Sequence, residues 1–364
     1  MDRRCLQTMT SRERFLLALN HREPDRIPVC DTPWETTIAR WHAEGLPADT
    51  HPHGFFGYEW ASQTADTSAR LPEVTLEETD EYRIIKDAWG ATTRVFKGRE
   101  SVPELLDYTI TTRDLWLEYK PLFAWDDTRV NWEQALATNR SLRESGLFST
   151  YSAGFGFDRV QRFAGAPTVL MAMIEDPDWI ADMFETIGDL IIASCAEMIA
   201  RGMEFDGAFI WNDMGYRNGP FFSPALYRRL EFPVQKRLCD FFHSHGMPVI
   251  LHTDGDVRSL IPGFIEAGFD CLQPIESKAG MDLVELKHQY GDRLAFMGGI
   301  DVRAMADPDP LAIEREISRK IPVAMRGGGY IYHSDHSVPD NVCFERYQRV
   351  MELVRHYGDY GRLR

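Results

Sequence analysis

The feature that most constrains the fold is an alternation of short apolar strands with amphipathic helices from residue 147 onward. The helices show apolar residues at helical spacing, as in 180–201 and 224–243. Strands that are apolar on both faces and separated by helices predict a parallel sheet covered by helices. An α/β fold of the (β/α)8 TIM barrel type is therefore predicted, although the pattern reveals only seven of its eight strands: 27–30, 147–152, 207–212, 248–252, 271–274, 294–298 and 330–333.

The length of 364 residues fits one barrel with an insertion, so we predict a single domain over residues 1–364. The insertion is expected at about residues 81–119. Its sequence alternates around a turn at Ala88, Trp89 and Gly90, which indicates a β-hairpin or small meander. An insertion of this kind commonly borders an active site.

Charge and cysteine content restrict the cellular setting and the partners. A formal net charge of -16 disfavours nucleic acid as a partner, because the phosphate backbone is also anionic. No apolar leader or membrane-length run is seen, so a cytoplasmic protein without a membrane partner is expected. The cysteines form no CxxC pair, which is typical of reduced thiols: Cys5, Cys30, Cys195, Cys239, Cys271 and Cys343.

Ionisable residues follow six of the predicted strands directly. In a parallel barrel the carboxyl ends of all strands meet at one mouth, where active sites are built. The residues concerned include Asp31, Asp213, His252, Asp254, Glu276, Asp301, His333, Asp335 and His336. The alternative is that the acidic and serine residues at these places, such as Asp256, Asp301 and Ser223, cap the helices that follow. For His252 and His333, the alternative is a buried histidine bonded to backbone.

Two motifs carry the predicted catalytic chemistry. In "LHTDGDV", His252 and Asp254 are two residues apart, and "YHSDHSVP" repeats this spacing for His333 and Asp335. In extended backbone such pairs lie on one face. They could supply nitrogen and oxygen ligands to one divalent metal, or act as proton donors and acceptors with shifted pKa values. With Asp213, these four are the predicted catalytic residues.

Aromatic residues and methionine near the strand ends suggest a wide apolar pocket with a polar floor. Ordinary core packing is the alternative interpretation. The residues predicted to bind substrate are Asp31, Trp34, Tyr151, Trp211, Asn212, Met214, Glu276 and His336.

Several segments together resemble the uroporphyrinogen decarboxylase superfamily: "MTSRERFLLALNHREPDRIPV", "WNDMGYRNGPFFSPALYRRLEFP", "VILHTDGDVRSLIPGFIEAGFDCLQPIE", "FMGGID" and "GGGYIYHSDHSVPDNV". The resemblance implies a (β/α)8 barrel with its site in the C-terminal cleft. True uroporphyrinogen decarboxylases bind propionates through an arginine-rich N-terminal loop. The equivalent segment here, "CDTPWETTIARW", has Asp31 and Glu35 and no arginine before Arg40. The chain is thus more similar to the cobalamin-dependent methyltransferase-like branch.

In that branch, some members bind zinc through a His-x-Cys pair and a later cysteine. Here His252 matches the histidine, Asp254 replaces the first thiolate, and the later position falls near Asp335. The resemblance implies methyl transfer from a small methylated substrate to a corrinoid on a partner protein, with a divalent metal such as zinc, and a possible homodimer. Two alternatives stay open: a cofactor-free decarboxylase of uroporphyrinogen or another carboxylic acid, and a non-catalytic barrel that binds a tetrapyrrole or corrinoid.

Overall fold

The computed structural model describes residues 9–98 and 103–362. The residues outside these ranges are 1–8, which include Cys5, 99–102, which are a short part of the predicted insertion, and 363–364. The strands are, in chain order, β1 Trp60–Gln63, β2 Val74–Glu78, β3 Tyr82–Lys86, β4 Thr92–Phe96, β5 Glu104–Asp107, β6 Phe148–Gly154, β7 Gly207–Trp211, β8 Gly215–Tyr216, β9 Gly219–Pro220, β10 Val249–His252, β11 Cys271–Gln273, β12 Ala295–Met297 and β13 Tyr330–Ile331.

The helices alternate with the barrel strands, as the sequence predicts. They are α1 Ser11–Leu19, α2 Glu35–Ala43, α3 Pro52–Phe56, α4 Arg113–Tyr119, α5 Trp132–Ser145, α6 Gly156–Ala164, α7 Ala166–Glu175, α8 Pro177–Ala200, α9 Pro224–Leu230, α10 Phe232–Ser244, α11 Ile261–Ala267, α12 Leu283–Tyr290, α13 Val302–Ala306, α14 Ala312–Ala324 and α15 Phe344–Tyr357. Short 3-10 turns occur at Lys120–Phe123, Asp127–Arg129, Ser277–Ala279 and Tyr360–Arg362.

Seven parallel strands form a curled sheet in the order β1-β6-β7-β10-β11-β12-β13. Residues 27–30 lie between its two edges and close it. Val29 forms a parallel bridge with Tyr332, and the Glu59 N–H donates to the Val29 carbonyl at 2.9 Å. The TIM-barrel prediction is therefore confirmed.

The strand that the sequence pattern does not predict is β1, which lies between the first predicted strand and the insertion. Its sequence, WASQ, has only two apolar residues, and no residue of the strand is fully buried. A short strand without an apolar run gives no hydrophobic pattern to detect. Its pairing with β6, from Trp60 opposite Phe148 to Gln63 opposite Tyr151, is set by the neighbouring strand instead.

Helix α1 closes the amino-terminal end of the barrel. Phe15 stacks on Phe148 at the start of β6, with ring centroids 4.6 Å apart, inside a buried cluster that includes Phe209 and Ile250. Burial of a phenylalanine side chain contributes about 1.5–3 kcal/mol. Since one end of the barrel is filled by this helix, the carboxyl ends of the strands form the end that can receive a ligand.

The insertion is a four-stranded antiparallel sheet in the order β2-β3-β4-β5. It begins at Val74, earlier than the predicted residue 81, and the segment Arg113–Tyr119 is helix rather than strand. The early start was missed because every residue of β2 is exposed. The turn around Trp89 is confirmed: the Asp87 carboxylate accepts the Trp89 and Ala91 N–H groups, both at 3.0 Å, and Gly90 has φ 89°.

Two further observations concern the predicted setting. In the part of the chain that the structure describes, no helix combines the length and apolar character needed to cross a membrane. The five cysteines within the described residues are free thiols, and four of them are buried.

Candidate active site

Three ionisable side chains meet at the carboxyl ends of β7 and β10. These strands are neighbours, with Trp211 opposite His252. His252 Nε2 lies 3.5 Å from Asp213 Oδ1 and 3.9 Å from Asp254 Oδ1. One ligand atom from each residue lies within 4.8 Å of the others. We call Asp213, His252 and Asp254 the mouth triad.

The orientation of His252 is set by the next strand. Gln273 ends β11 and lies opposite His252 in the sheet. The Gln273 amide oxygen accepts a hydrogen bond from His252 Nδ1. Because an amide oxygen can only accept, Nδ1 carries a proton and Nε2 is directed at the two carboxylates. A partner of this kind is characteristic of metal-binding and catalytic histidines.

The electrostatics of the triad favour a charged histidine. Burial lowers the pKa of His252, but the Asp254 and Asp213 carboxylates and the Gln273 hydrogen bond together raise it above its ordinary value. Burial is also the main cause of the raised pKa of Asp213. Asp254 Oδ1 is buried and has no hydrogen-bond partner, although the Asp254 N–H donates to Asp213 Oδ1 at 2.9 Å. The triad thus retains an acceptor that the protein leaves unused.

Asp158 and Arg159, in the first turn of α6, complete this part of the mouth. Burial and the Asp213 carboxylate raise the pKa of Asp158, although Arg159 and His252 act in the opposite direction. The Arg159 guanidinium carbon lies 4.9 Å from the Trp211 ring centroid. Sequence reasoning missed both residues. The signal was available, since a charged Asp-Arg pair directly follows the glycine-aromatic segment "YSAGFGF".

A buried carboxylate, Glu231, holds the start of α6 against β7. It accepts the Phe157 N–H at 2.7 Å, Asn212 Nδ2 at 2.7 Å and Gln235 Nε2 at 3.1 Å. Asn212 Oδ1 in turn accepts the Asp158 N–H at 3.0 Å. Burial raises the pKa of Glu231 to about 7. Asn212, predicted to bind substrate, is fully buried and positions the loop instead.

His333 and Asp31 form a separate buried network where the first and eighth barrel segments meet. His333 is 2% exposed; its Nδ1 lies 2.7 Å from the Ser334 carbonyl and its Nε2 lies 3.2 Å from Thr32 Oγ1. The Asp31 carboxylate accepts hydrogen bonds from the hydroxyls of Ser334, Tyr332 and Tyr347 at 2.5, 3.2 and 2.7 Å. This network closes the barrel and leaves neither residue free for a ligand.

Asp335 connects three loops. It is 1% exposed, and its two oxygens accept the Ser277 N–H at 3.0 Å and the Val302 N–H at 2.9 Å. Burial raises the pKa of Asp335 to about 6. Among the described residues, the side chains close enough to share a metal are Asp213, His252 and Asp254. The structure therefore does not bring His333 and Asp335 into one ligand set with His252 and Asp254, because their polar atoms are already used by nearby backbone and hydroxyl groups.

Of the residues predicted to bind substrate, Trp211 lies at the mouth triad. Tyr151 and Met214 are fully buried elsewhere. The Tyr151 hydroxyl lies 2.7 Å from Ser194 Oγ on α8, because this residue of β6 faces the helix layer. Met214 packs on Gln235, whose Nε2 lies 3.7 Å from the methionine sulfur.

The remaining predicted residues lie around the mouth. Glu276 accepts the Gly255 N–H at 2.7 Å and pairs with Lys278 at 2.8 Å. Trp34 and His336 are half-buried and contact each other edge to face, with ring centroids 6.0 Å apart. The capping alternative describes two predicted positions well. Ser223 caps α9, and Asp301 caps α13 through the Arg303 N–H at 2.8 Å.

A comparison with solved structures supports this fold over nearly the whole chain. The sequence shows no match to any curated protein. In structure it is similar to a methyltransferase from Methanosarcina mazei, with a TM-score of 0.66, 16% identity and coverage of 96% of this chain and 99% of that chain. A weaker similarity, with a TM-score of 0.41 and 12% identity, covers 65% of this chain and 40% of an endo-beta-mannanase/endo-beta-glucanase from Prevotella bryantii.

A sequence model of one family covers more than half of the chain. The model for uroporphyrinogen decarboxylase (URO-D) matches residues 162–357, a segment that runs from α6 through α15 and includes all three residues of the mouth triad. This protein therefore belongs to the uroporphyrinogen decarboxylase family.

Proposed function

We propose that this chain is a methyltransferase that takes a methyl group from a small O-, N- or S-methylated compound and passes it to a corrinoid carried by a partner protein. The observation that carries the proposal is the mouth triad, which combines an oriented imidazole with two carboxylates at the site where barrel enzymes act. Family membership and the similarity in fold to a methyltransferase support it.

The triad fits a divalent metal. It offers one nitrogen and two oxygen ligands, and three protein ligands that leave one position open are typical of catalytic zinc sites. The buried Asp254 Oδ1, which has no partner in the protein, is an acceptor of the kind that a cation would satisfy. Zinc is our first candidate because it commonly has three protein ligands and one open position in catalytic sites. Asp213, His252 and Asp254 also suit other divalent ions. When bound, such an ion would act as a Lewis acid on the heteroatom that carries the methyl group.

The chemistry asks the site to stabilise a leaving group. As the methyl group moves to the cobalt of the reduced corrinoid, the heteroatom keeps the electron pair of the broken bond and takes up a proton. His252 Nε2 would hold the ion when one is bound; in the metal-free site it is oriented to deliver that proton, because Gln273 holds Nδ1 and two carboxylates favour the charged ring. Without such help, methyl transfer would expel a poor anionic leaving group.

Decarboxylation of uroporphyrinogen is the less favoured candidate. A substrate with many carboxylates needs several cations around it. The mouth triad supplies two carboxylates, and Asp158 adds a third beside them. The charge of this surface suits a small substrate better than a polyanionic one.

The test measures metal content and methyl transfer on the same samples. We expect purified protein to bind about one divalent ion per chain and to convert cob(I)alamin to methylcobalamin with at least one member of a panel of methoxylated, N-methylated and S-methylated compounds. His252→Ala should lose both the ion and the activity. His288→Ala is the matched control, because His288 is exposed on α12.

Three outcomes would contradict the proposal. Release of carbon dioxide from uroporphyrinogen III would identify a decarboxylase. Tight binding of a corrinoid with no turnover in either assay would identify a binding protein. Retention of full activity by His252→Ala would remove the mouth triad from the reaction.

A further inference from the structure

Arg159 is a mostly buried cation whose hydrogen-bonding capacity the protein does not use. Its side chain is 14% exposed, and Nε is buried without a hydrogen-bond partner. The guanidinium forms no hydrogen bond with any described residue. Its nearest carboxylate oxygen, Asp158 Oδ2, lies 3.9 Å from Nε, which is an ion contact without a hydrogen bond. A guanidinium has five N–H donors, so this arrangement leaves a strong binding capacity unmet.

The surrounding structure is shaped to hold this side chain. The guanidinium carbon lies 4.9 Å from the Trp211 ring centroid and 5.3 Å from that of Trp89. Trp211 ends β7, whereas Trp89 comes from the β3–β4 turn of the insertion. At Gly154, the last residue of β6, an added Cβ would overlap Nε of Arg159. The barrel and the insertion therefore both make room for one guanidinium.

The position of Arg159 is electrostatically unfavourable for a cation that has only a structural role. Arg159 lies in the first turn of α6, where the positive end of the helix dipole opposes positive charge. Burial lowers the pKa of Arg159, which means that the charged form is destabilised there. Indole rings and Asp158 offset part of this cost. A bound anion would offset the rest.

An aromatic wall connects Arg159 to the mouth triad. The ring of Trp211 lies 6.4 Å from that of Phe209, and Phe209 lies 6.0 Å from the His252 ring. Trp60 extends the wall, with its centroid 4.9 Å from that of Phe209. A flat molecule in contact with Trp211, which lies opposite His252 in the sheet, would have one end near the guanidinium and the other near His252.

We infer that Arg159 binds the carboxylate of the substrate, so that the substrate is a planar methylated compound with a carboxylate at one end and its methyl group at the mouth triad. The planar guanidinium can bind a carboxylate through two parallel hydrogen bonds. This inference rests on the proposed function for the methyl group, and Arg159 is then a specificity-determining residue.

The test compares two ligands of equal shape and different charge, 4-methoxybenzoate and 4-methoxybenzamide, by isothermal titration calorimetry. Wild-type protein should bind the benzoate at least about tenfold more tightly, because an ionic bidentate contact exceeds a neutral one. Arg159→Gln should weaken benzoate binding about tenfold or more and leave benzamide binding within about twofold. Arg159→Lys should give an intermediate loss, since an ammonium keeps the charge without the planar fork.

Arg140→Gln is the matched control, because Arg140 is exposed on α5 and the same charge is removed there. Benzamide binding by Arg159→Gln shows that the variant has folded. If Arg159→Gln binds the benzoate as tightly as the wild type, or if the wild type binds the benzoate no better than the benzamide, the inference is wrong. Binding is measured without corrinoid or methyl transfer. A failed methyl-transfer assay would therefore overturn the proposed function and leave the carboxylate anchor standing.

Discussion

Replacement of Asp335 by asparagine tests whether this residue ties loops together or binds a metal. Asp335 is buried, each of its oxygens accepts one backbone N–H, and burial raises its pKa from the ordinary value of 3.8 to about 6. The folded protein therefore holds a proton on Asp335 more tightly than the unfolded chain does. The stability contributed by this group is therefore fully present below about pH 4, falls as the pH rises through about 6, and is constant above that.

The magnitude follows from the shift of about two pKa units. It corresponds to about 3 kcal/mol in total at 1.36 kcal/mol per unit. Between about pH 4.5 and about pH 8, about 2 kcal/mol of this difference is accessible. The asparagine side chain of the variant does not titrate, so this part of the pH dependence should disappear. The variant also loses one acceptor for a backbone N–H, at a cost of about 1–3 kcal/mol that does not vary with pH.

The assay is urea unfolding of both proteins at a series of pH values, with metal content measured on the folded samples. The free energy of unfolding of the wild type minus that of Asp335→Asn should fall by about 2 kcal/mol from about pH 4.5 to about pH 8. Bound metal should not change. A difference that stays constant with pH would show that Asp335 is not held as we describe. Loss of the metal in this variant would return Asp335 to the ligand set.

Three further changes have specific expected outcomes. Gly156→Ala should lower the free energy of unfolding by about 2–4 kcal/mol in urea unfolding, because φ is 61° and the new Cβ would overlap the Asn212–Glu231 hydrogen bond. Gly54→Ala, with no atom within 4 Å of its new Cβ, should change the free energy of unfolding by less than about 1 kcal/mol. Equal effects of the two substitutions would contradict the packing we describe. Gln273→Leu should weaken metal binding about 10- to 100-fold in competition with a chromophoric chelator, because His252 loses the acceptor that orients it. An unchanged metal affinity would argue against a role of Gln273 in orienting His252. Gly154→Ala should weaken 4-methoxybenzoate binding in calorimetry although the arginine charge remains, and wild-type affinity would show that the guanidinium is not confined there.

The barrel could be predicted because most of its strands are buried on both faces. Strands β7 and β10 are almost wholly buried and read as continuous apolar runs between helices. Strand β1 could not be found in the same way, because WASQ is neither apolar nor alternating and its place is determined by pairing with β6. Strand β2 of the insertion was missed because all of its residues are exposed, so it has no buried face that a hydrophobic pattern could mark. Local pattern identifies an element only where burial differs between its faces or from its surroundings.

The site was predictable only in part, because hydrogen bonds beyond the strand ends decide which side chains meet. His252 and Asp254 were paired from their spacing, and both reach the same cluster with Asp213. The same spacing at His333 and Asp335 failed to bring them to one ligand, because the Asp335 oxygens accept the Ser277 and Val302 N–H groups instead. Asp254 also lies beyond the end of its strand, and the hydrogen bond from its N–H to Asp213 Oδ1 keeps it at the cluster.

The difference between structural and functional carboxylates at this mouth lies in the hydrogen bonds that each receives. Asp335 and Glu231 accept backbone or amide N–H groups on both oxygens, so each carboxylate is held by donors of the protein itself. Asp254 Oδ1 receives none although it is buried, and Arg159 Nε is likewise a buried donor with no acceptor. Buried polar groups are rarely left unpaired unless something outside the chain completes them. Asp254 thus offers an unused acceptor and Arg159 an unused donor at one barrel mouth, and the two residues do not pair with each other. A site that holds a cation at one end of a substrate and a carboxylate at the other needs two such groups.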